Sequence, residues 1–103
     1  MEPMTEELFV YGTLKLPEIQ REIIGREVEL LSATLMGYKT EPVMIDRAEY
    51  RILVPDQGSE VEGALISITK DELTRIDRYE PEDYKRISVT VNCGKTAWVY
   101  VKA

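Results

Sequence analysis

Leu8-Phe9-Val10-Tyr11-Gly12-Thr13-Leu14-Lys15 is the stretch on which the reading of this 103-residue chain turns. Leu8 to Tyr11 are apolar, β-branched or aromatic, the composition of a buried strand, and Gly12 ends the pattern. A glycine at that place admits a positive φ or a close approach of the backbone to a ligand. The amides of Gly12, Thr13 and Leu14 can then fan out as a concave set of donors suited to an anion or oxyanion. On local chemistry alone, a plain strand-to-turn exit is the simpler account of the same residues.

Outward from that stretch, the chain is long enough for one domain with one modest core, so residues 1–103 are read as a single unit. The net charge of −6 argues against an electrostatic footprint for nucleic acid or an anionic membrane. No apolar run reaches the roughly 18 residues of a membrane span. The acidic start, Met1-Glu2-Pro3-Met4-Thr5-Glu6-Glu7, lacks the apolar core of a secretion signal. The single cysteine excludes an internal disulfide and fits a cytoplasmic location. The absence of histidine removes Ser-His-Asp and Cys-His nucleophiles and nearly all zinc sites. Acid–base chemistry must then fall to a carboxylate, a lysine or a tyrosine.

After Lys15, residues 16–25 read as a short helix, with Pro17 at its first turn, Ile19 and Ile23 on one face, and Gly25 as its stop. Strands are expected over residues 28–42, with a bulge or bend at Gly37, and over residues 49–54, ended by Pro55 and the turn Asp56-Gln57-Gly58-Ser59. Another follows over residues 61–68, where Gly63 permits close backbone approach. The last two strands join at Asn92-Cys93-Gly94-Lys95: Ile87, Val89, Val91 and Cys93 alternate with polar residues, and residues 96–101 return. Strands at short spacing with two short helices predict an α+β domain, mostly antiparallel, curled or closed into a small barrel.

The second helix opens with a capping box, Thr69-Lys70-Asp71-Glu72, and turns Leu73 and Ile76 to the core. The same spacing brings Glu80 to that face, and Pro81 ends the helix there. A carboxylate aimed inward at a helix C-terminus meets desolvation and the negative end of the helix dipole. Both raise its pKa toward the range of a proton shuttle at neutral pH. Other candidates weigh less. Cys93 reads as a small buried hydrophobe, Trp98 and Tyr100 as packing or a partner surface, and Tyr84 as a core tyrosine within reach of Glu80. Glu80, Glu82 and Asp83 lack the surrounding oxygen ligands of a metal loop.

Phe9-Val10-Tyr11-Gly12-Thr13-Leu14-Lys15 resembles the opening motif of the γ-glutamyl cyclotransferase-like family, whose small members include γ-glutamylamine cyclotransferase and AIG2-like proteins. Val61-Glu62-Gly63 with Leu65, Ile76-Asp77-Arg78-Tyr79-Glu80, Tyr84-Lys85-Arg86 and Val89-Thr90-Val91 are similar to its later motifs in order and spacing. The chain departs from the family at Leu16-Pro17-Glu18 and at Glu41-Pro42-Val43-Met44, which bears on pocket shape and substrate. The resemblance implies a small mixed β-barrel with helices at its edges. It places substrate binding on Tyr11, Gly12, Thr13 and Leu14, catalysis on Glu80, and possible support on Tyr84, with no cofactor and no metal. The implied reaction cyclises a γ-glutamyl amine or amino acid to 5-oxoproline, releasing the amine. A non-catalytic module of the same fold, binding a small ligand or a protein, is the alternative. Which amine leaves, and the oligomeric state, stay open at this point.

Overall fold

The opening stretch forms the middle of the sheet. The computed structural model describes residues 5–45, 47–80, 84–92 and 94–102. Strand β1 (Thr5–Val10) runs into a 3₁₀ turn (Thr13–Lys15) and helix α1 (Pro17–Ile23). A long hairpin, β2 (Leu31–Ile45) and β3 (Ala48–Thr69), leads to helix α2 (Lys70–Tyr79), and β4 (Tyr84–Thr90) and β5 (Thr96–Lys102) complete a sheet of order β2-β3-β1-β5-β4. Every neighbouring pair is antiparallel except β1 and β5, which align in parallel with Leu8 beside Trp98.

Both faces of β1 are buried. Leu8 and Val10 join Ile66, Ile68, Leu73, Ile76 and Tyr100 beneath the helices, while Phe9 joins Leu35, Leu53, Leu65 and Val99 on the opposite face. An almost continuous apolar run is what a strand covered on both sides requires. Gly63 has its expected role: a Cβ there would lie 2.4 Å from the Val10 carbonyl oxygen and 2.8 Å from Phe9 Cζ. No other residue lets β1 and β3 pack this closely.

The sheet curls but does not close. Just past the end of β4, Asn92 meets β2: its amide donates to the Thr34 carbonyl at 2.9 Å and the Thr34 amide donates to its Oδ1 at 3.0 Å. Among the described residues no strand ladder joins β2 to β4, so the expected barrel is an open, strongly curled sheet. A side-chain clasp takes the place of the missing ladder.

Three strand expectations shift in detail. The second strand starts at Leu31 rather than Val28, because the Val28 amide is taken by the Gln20 side chain at 3.0 Å. Residues 49–54 and 61–68 lie on one long strand, which Pro55 does not end. Pairing instead slips between Met36, opposite Glu60, and Tyr38, opposite Pro55. Gly37 takes a φ of +85° at that slip, the bend expected of it. Cys93, Pro81, Glu82 and Asp83, to which the sequence reading gave roles, lie outside the described residues.

Both helix starts and stops follow local chemistry. The Glu72 amide donates to Thr69 Oγ1 at 3.1 Å and the Thr69 amide donates to Glu72 Oε1 at 2.9 Å, a reciprocal cap. Gly25, at φ +97°, ends the first helix, where its amide reaches the Gln20 carbonyl at 3.2 Å.

Candidate active site

Where β1 ends, the chain makes one side of a cavity of about 350 Å³. Tyr11, Gly12 and Leu14 line it from the turn, and Glu80 lines it from the end of α2. Thr13 contributes its backbone to the 3₁₀ turn between Gly12 and Leu14. Tyr84 at the start of β4 and Tyr100 on β5 add aromatic walls, and Ala48, Glu49 and Arg51 reach in from the hairpin. Tyr11, Gly12, Leu14, Glu80 and Tyr84 thus lie around one space, while Thr13 is not among the residues that line it.

The turn is held from behind by Gln20, a polar side chain only 1% exposed. Its Nε2 donates to the Leu14 carbonyl at 2.8 Å, and its Oε1 accepts from the Val28 amide. Both halves of the amide are satisfied, which is the condition for burying it. Gly12 does not take a positive φ. A Cβ on it would meet no atom of the described residues within 4 Å, so its missing side chain leaves room beside the backbone rather than relieving strain. The Gly12 carbonyl accepts from Lys15, while among the described residues the amides of residues 12–14 have no acceptor.

Glu80 is the C-terminal cap of α2, with φ −67° and ψ 143° turning it out of helical geometry. Its amide still donates to the Ile76 carbonyl at 3.0 Å, which fixes its backbone to the helix. Burial in the cavity pushes its carboxyl up to about 7, and the charge of Asp77 one turn earlier adds to the rise. Desolvation was legible from the pattern of the helix. A neighbouring acid, Asp77, adds to it.

Around Glu80 the tyrosines are fixed by hydrogen bonds. Tyr11 donates to the Tyr100 carbonyl at 2.7 Å, Tyr84 donates to the Arg51 carbonyl at 2.8 Å, and Tyr100 donates to Asp77 Oδ1 at 2.6 Å. Burial raises the pKa of Tyr11 and Tyr100 well above the ordinary phenol, with nearby negative charge adding to it, so both act as neutral donors. Tyr100 was read from sequence as packing or a partner surface; it is packing that also walls the cavity. Arg51 and Tyr100 were missed as site residues, since a charge on a hairpin strand and an aromatic on a core strand carry no signature of their own. Among the described residues, no cluster of three or more acidic or cysteine side chains converges as a metal ion would need.

No helix among the described residues is long and apolar enough to cross a membrane. The family model for gamma-glutamyl cyclotransferase, AIG2-like, matches residues 8–103. AIG2-like protein B of Arabidopsis thaliana is 34% identical over 90 residues, 86% of this chain and 51% of that protein. AIG2-like protein A of the same plant is 33% identical over 85 residues, 82% of this chain and 50% of that protein. The chain therefore spans about half the length of the curated relatives it matches. Among solved structures, an Arabidopsis thaliana protein, determined in solution, is 29% identical with a TM-score of 0.81, covering 95% of this chain and 68% of its own. A structure described as gamma-glutamyl cyclotransferase has a TM-score of 0.84 at 20% identity, covering 97% of this chain and 68% of its own, a likeness of fold. With its motifs and cavity in that order along the chain, the protein belongs to the γ-glutamyl cyclotransferase, AIG2-like family.

Proposed function

We propose that this chain is a γ-glutamyl cyclotransferase acting on a γ-glutamyl amine or amino acid. The observation that supports this most directly is the single cavity lined by Tyr11, Gly12, Leu14 and Glu80, whose burial there pushes its carboxyl up to about 7. The reaction is intramolecular and needs no protein nucleophile. The α-amine of the glutamyl group attacks its own γ-carbonyl carbon, closing a five-membered ring. The enzyme must fold the substrate into a near-attack shape and move two protons.

Glu80 is assigned both transfers. As a carboxylate it takes a proton from the α-ammonium, freeing the lone pair that forms the new carbon–nitrogen bond. As an acid it then returns that proton to the departing nitrogen as the old bond breaks, and the ring nitrogen's second proton passes to the released amine, leaving 5-oxoproline and an ammonium. A carboxyl titrating near neutrality serves both directions, because each form is populated. The amides of residues 12–14 are assigned to the substrate carboxylate or the developing oxyanion, where preorganised donors are worth most. Fixed Tyr11 and Tyr100 shape the space in which the ring closes.

The experiment is 5-oxoproline release from a panel of γ-glutamyl amino acids and amines, by wild type and by Glu80→Gln. Turnover by wild type and a loss of about 10²–10⁴-fold in the variant, with binding kept, is the expected result. A folded variant with near-normal turnover removes Glu80 from the chemistry. Tight binding of the panel by wild type with no turnover moves the protein to a binding module.

A further inference from the structure

The cavity that holds Glu80 adjoins a second space. Tyr11 and Arg51 line both the cavity and an adjoining open polar groove, whose other walls include Lys39, Thr40, Ser59 and Glu60. Among the described residues lining the Glu80 cavity, Arg51 is the one cation. Its backbone is anchored where the Tyr84 hydroxyl donates to its carbonyl at 2.8 Å. Its guanidinium, by contrast, engages no acid and no carbonyl among the described residues. Glu49, two positions earlier on the same strand, also lines the cavity but makes no ion pair with it. Lys39 in the groove is already paired with Glu41 at 3.3 Å. A free guanidinium on the edge of an apolar-walled cavity presents a planar fork that matches a carboxylate.

We propose that Arg51 is a specificity-determining residue that receives the carboxylate of an amino acid on the leaving half of the substrate. The inference rests on reading the Glu80 cavity as a cyclotransferase site. With the glutamyl half engaged by Glu80 and the turn at residues 12–14, the leaving half points toward the groove and passes Arg51. In a γ-glutamyl α-amino acid the leaving carboxylate carbon lies two bonds from the scissile nitrogen, so it must come to rest beside the reacting centre. Arg51, shared by cavity and groove, is the cation placed to meet it there. A plain alkylamine would leave the guanidinium without a partner. The preferred substrate class is therefore γ-glutamyl amino acids over γ-glutamyl alkylamines.

The test compares γ-glutamyl-alanine with γ-glutamyl-alaninamide, which keeps the shape and removes the charge. Wild type should favour the acid by about tenfold or more in kcat/KM, carried by KM, the scale of a charge-assisted hydrogen bond. Arg51→Gln should bring that ratio close to one, and Arg51→Lys should leave an intermediate ratio, with thermal melts confirming that both variants fold. A wild-type ratio near one, or an unchanged ratio in Arg51→Gln, overturns the assignment. If wild type releases 5-oxoproline from neither compound, the cyclotransferase reading fails separately, and calorimetry with the same pair still decides Arg51. Tighter binding of the acid that is lost in Arg51→Gln upholds it, and equal binding of acid and amide sinks it.

Discussion

The Tyr100 hydroxyl donates a 2.6 Å hydrogen bond to Asp77 Oδ1, one helical turn before Glu80. The other oxygen of Asp77 accepts from Arg86 Nη2 at 3.1 Å, and that guanidinium lies 4.4 Å over the Trp98 ring. A carboxylate pinned from both sides holds its charge at a fixed place beside the cavity. That charge is the second cause, after burial, of the raised Glu80 pKa.

Asp77→Asn should therefore lower the pH at which activity appears. Glu80 must be ionised to accept the first proton, so kcat/KM should rise with pH through about 7 in wild type. Removing the neighbouring charge should move that limb down by about half a unit to one unit, while burial keeps it above an ordinary glutamate. The pH dependence of kcat/KM in the two proteins measures this directly. A limb that stays put in the variant would leave burial as the sole cause.

Glu80→Gln should trade activity for stability at high pH. The folded-state pKa of about 7 exceeds the ordinary 4.5, so wild-type folding is favoured most when Glu80 is protonated in both states. That contribution is lost as pH rises from the unfolded value through the folded one. The variant lacks this slope and should gain about 1–3 kcal/mol on wild type between about pH 4 and about pH 8. Urea unfolding at the two pH values reads the difference. Parallel losses in both proteins would mean that Glu80 ionises as freely folded as unfolded.

Gly63→Ala and Gly12→Ala should separate fold from site. At position 63 the new methyl meets the Val10 carbonyl at 2.4 Å, so β1 and β3 must part, at a cost of about 3 kcal/mol or more. At position 12 it meets no atom of the described residues within 4 Å, so the melting temperature should hold while turnover falls. Melting curves beside 5-oxoproline assays distinguish the two. A stable Gly63→Ala protein, or a fully active Gly12→Ala protein, contradicts the respective half.

Gln20→Leu should loosen the turn at residues 12–14. The substitution nearly keeps the side-chain volume but strands the Leu14 carbonyl and the Val28 amide, costing about 2–4 kcal/mol for two unpaired groups. Hydrogen exchange at Val28 and denaturant unfolding are the measurements. An unchanged unfolding midpoint would show that water replaces the side chain without loss.

Much of this was legible beforehand because its causes are local in sequence. The strand at Leu8 to Val10, the capping box at Thr69 and the inward turn of Glu80 each follow from a few adjacent residues. The mixed sheet with two helices followed from strand spacing and from the family likeness. What escaped depends on distant partners. Nothing near Gln20 in sequence marks it as buried, because its acceptor and donor are presented by the folded turn and by Val28. Closure of the sheet is decided by whether β2 meets β4, and no local pattern encodes that meeting. Arg51 reaches the cavity through the geometry of a hairpin whose two strands change register midway.

That change of register has an evolutionary and engineering consequence. On the inner side of the slip, β3 is locked to β1 from Ala64 to Thr69, and Glu80 and the turn at Gly12 hang from this locked portion and the helix that follows it. On the outer side, the described residues of 38–55 pair only within the hairpin, and residues 56–59 lie opposite no described residue of β2. The hairpin is thus two modules joined at a joint that tolerates added or lost residues. Grafting an outer module of different length or charge onto the inner one would exchange the wall that contains Ala48, Glu49 and Arg51 while leaving Glu80 and the turn at Gly12 undisturbed. A small scaffold of this kind can diversify what it accepts without re-inventing what it does.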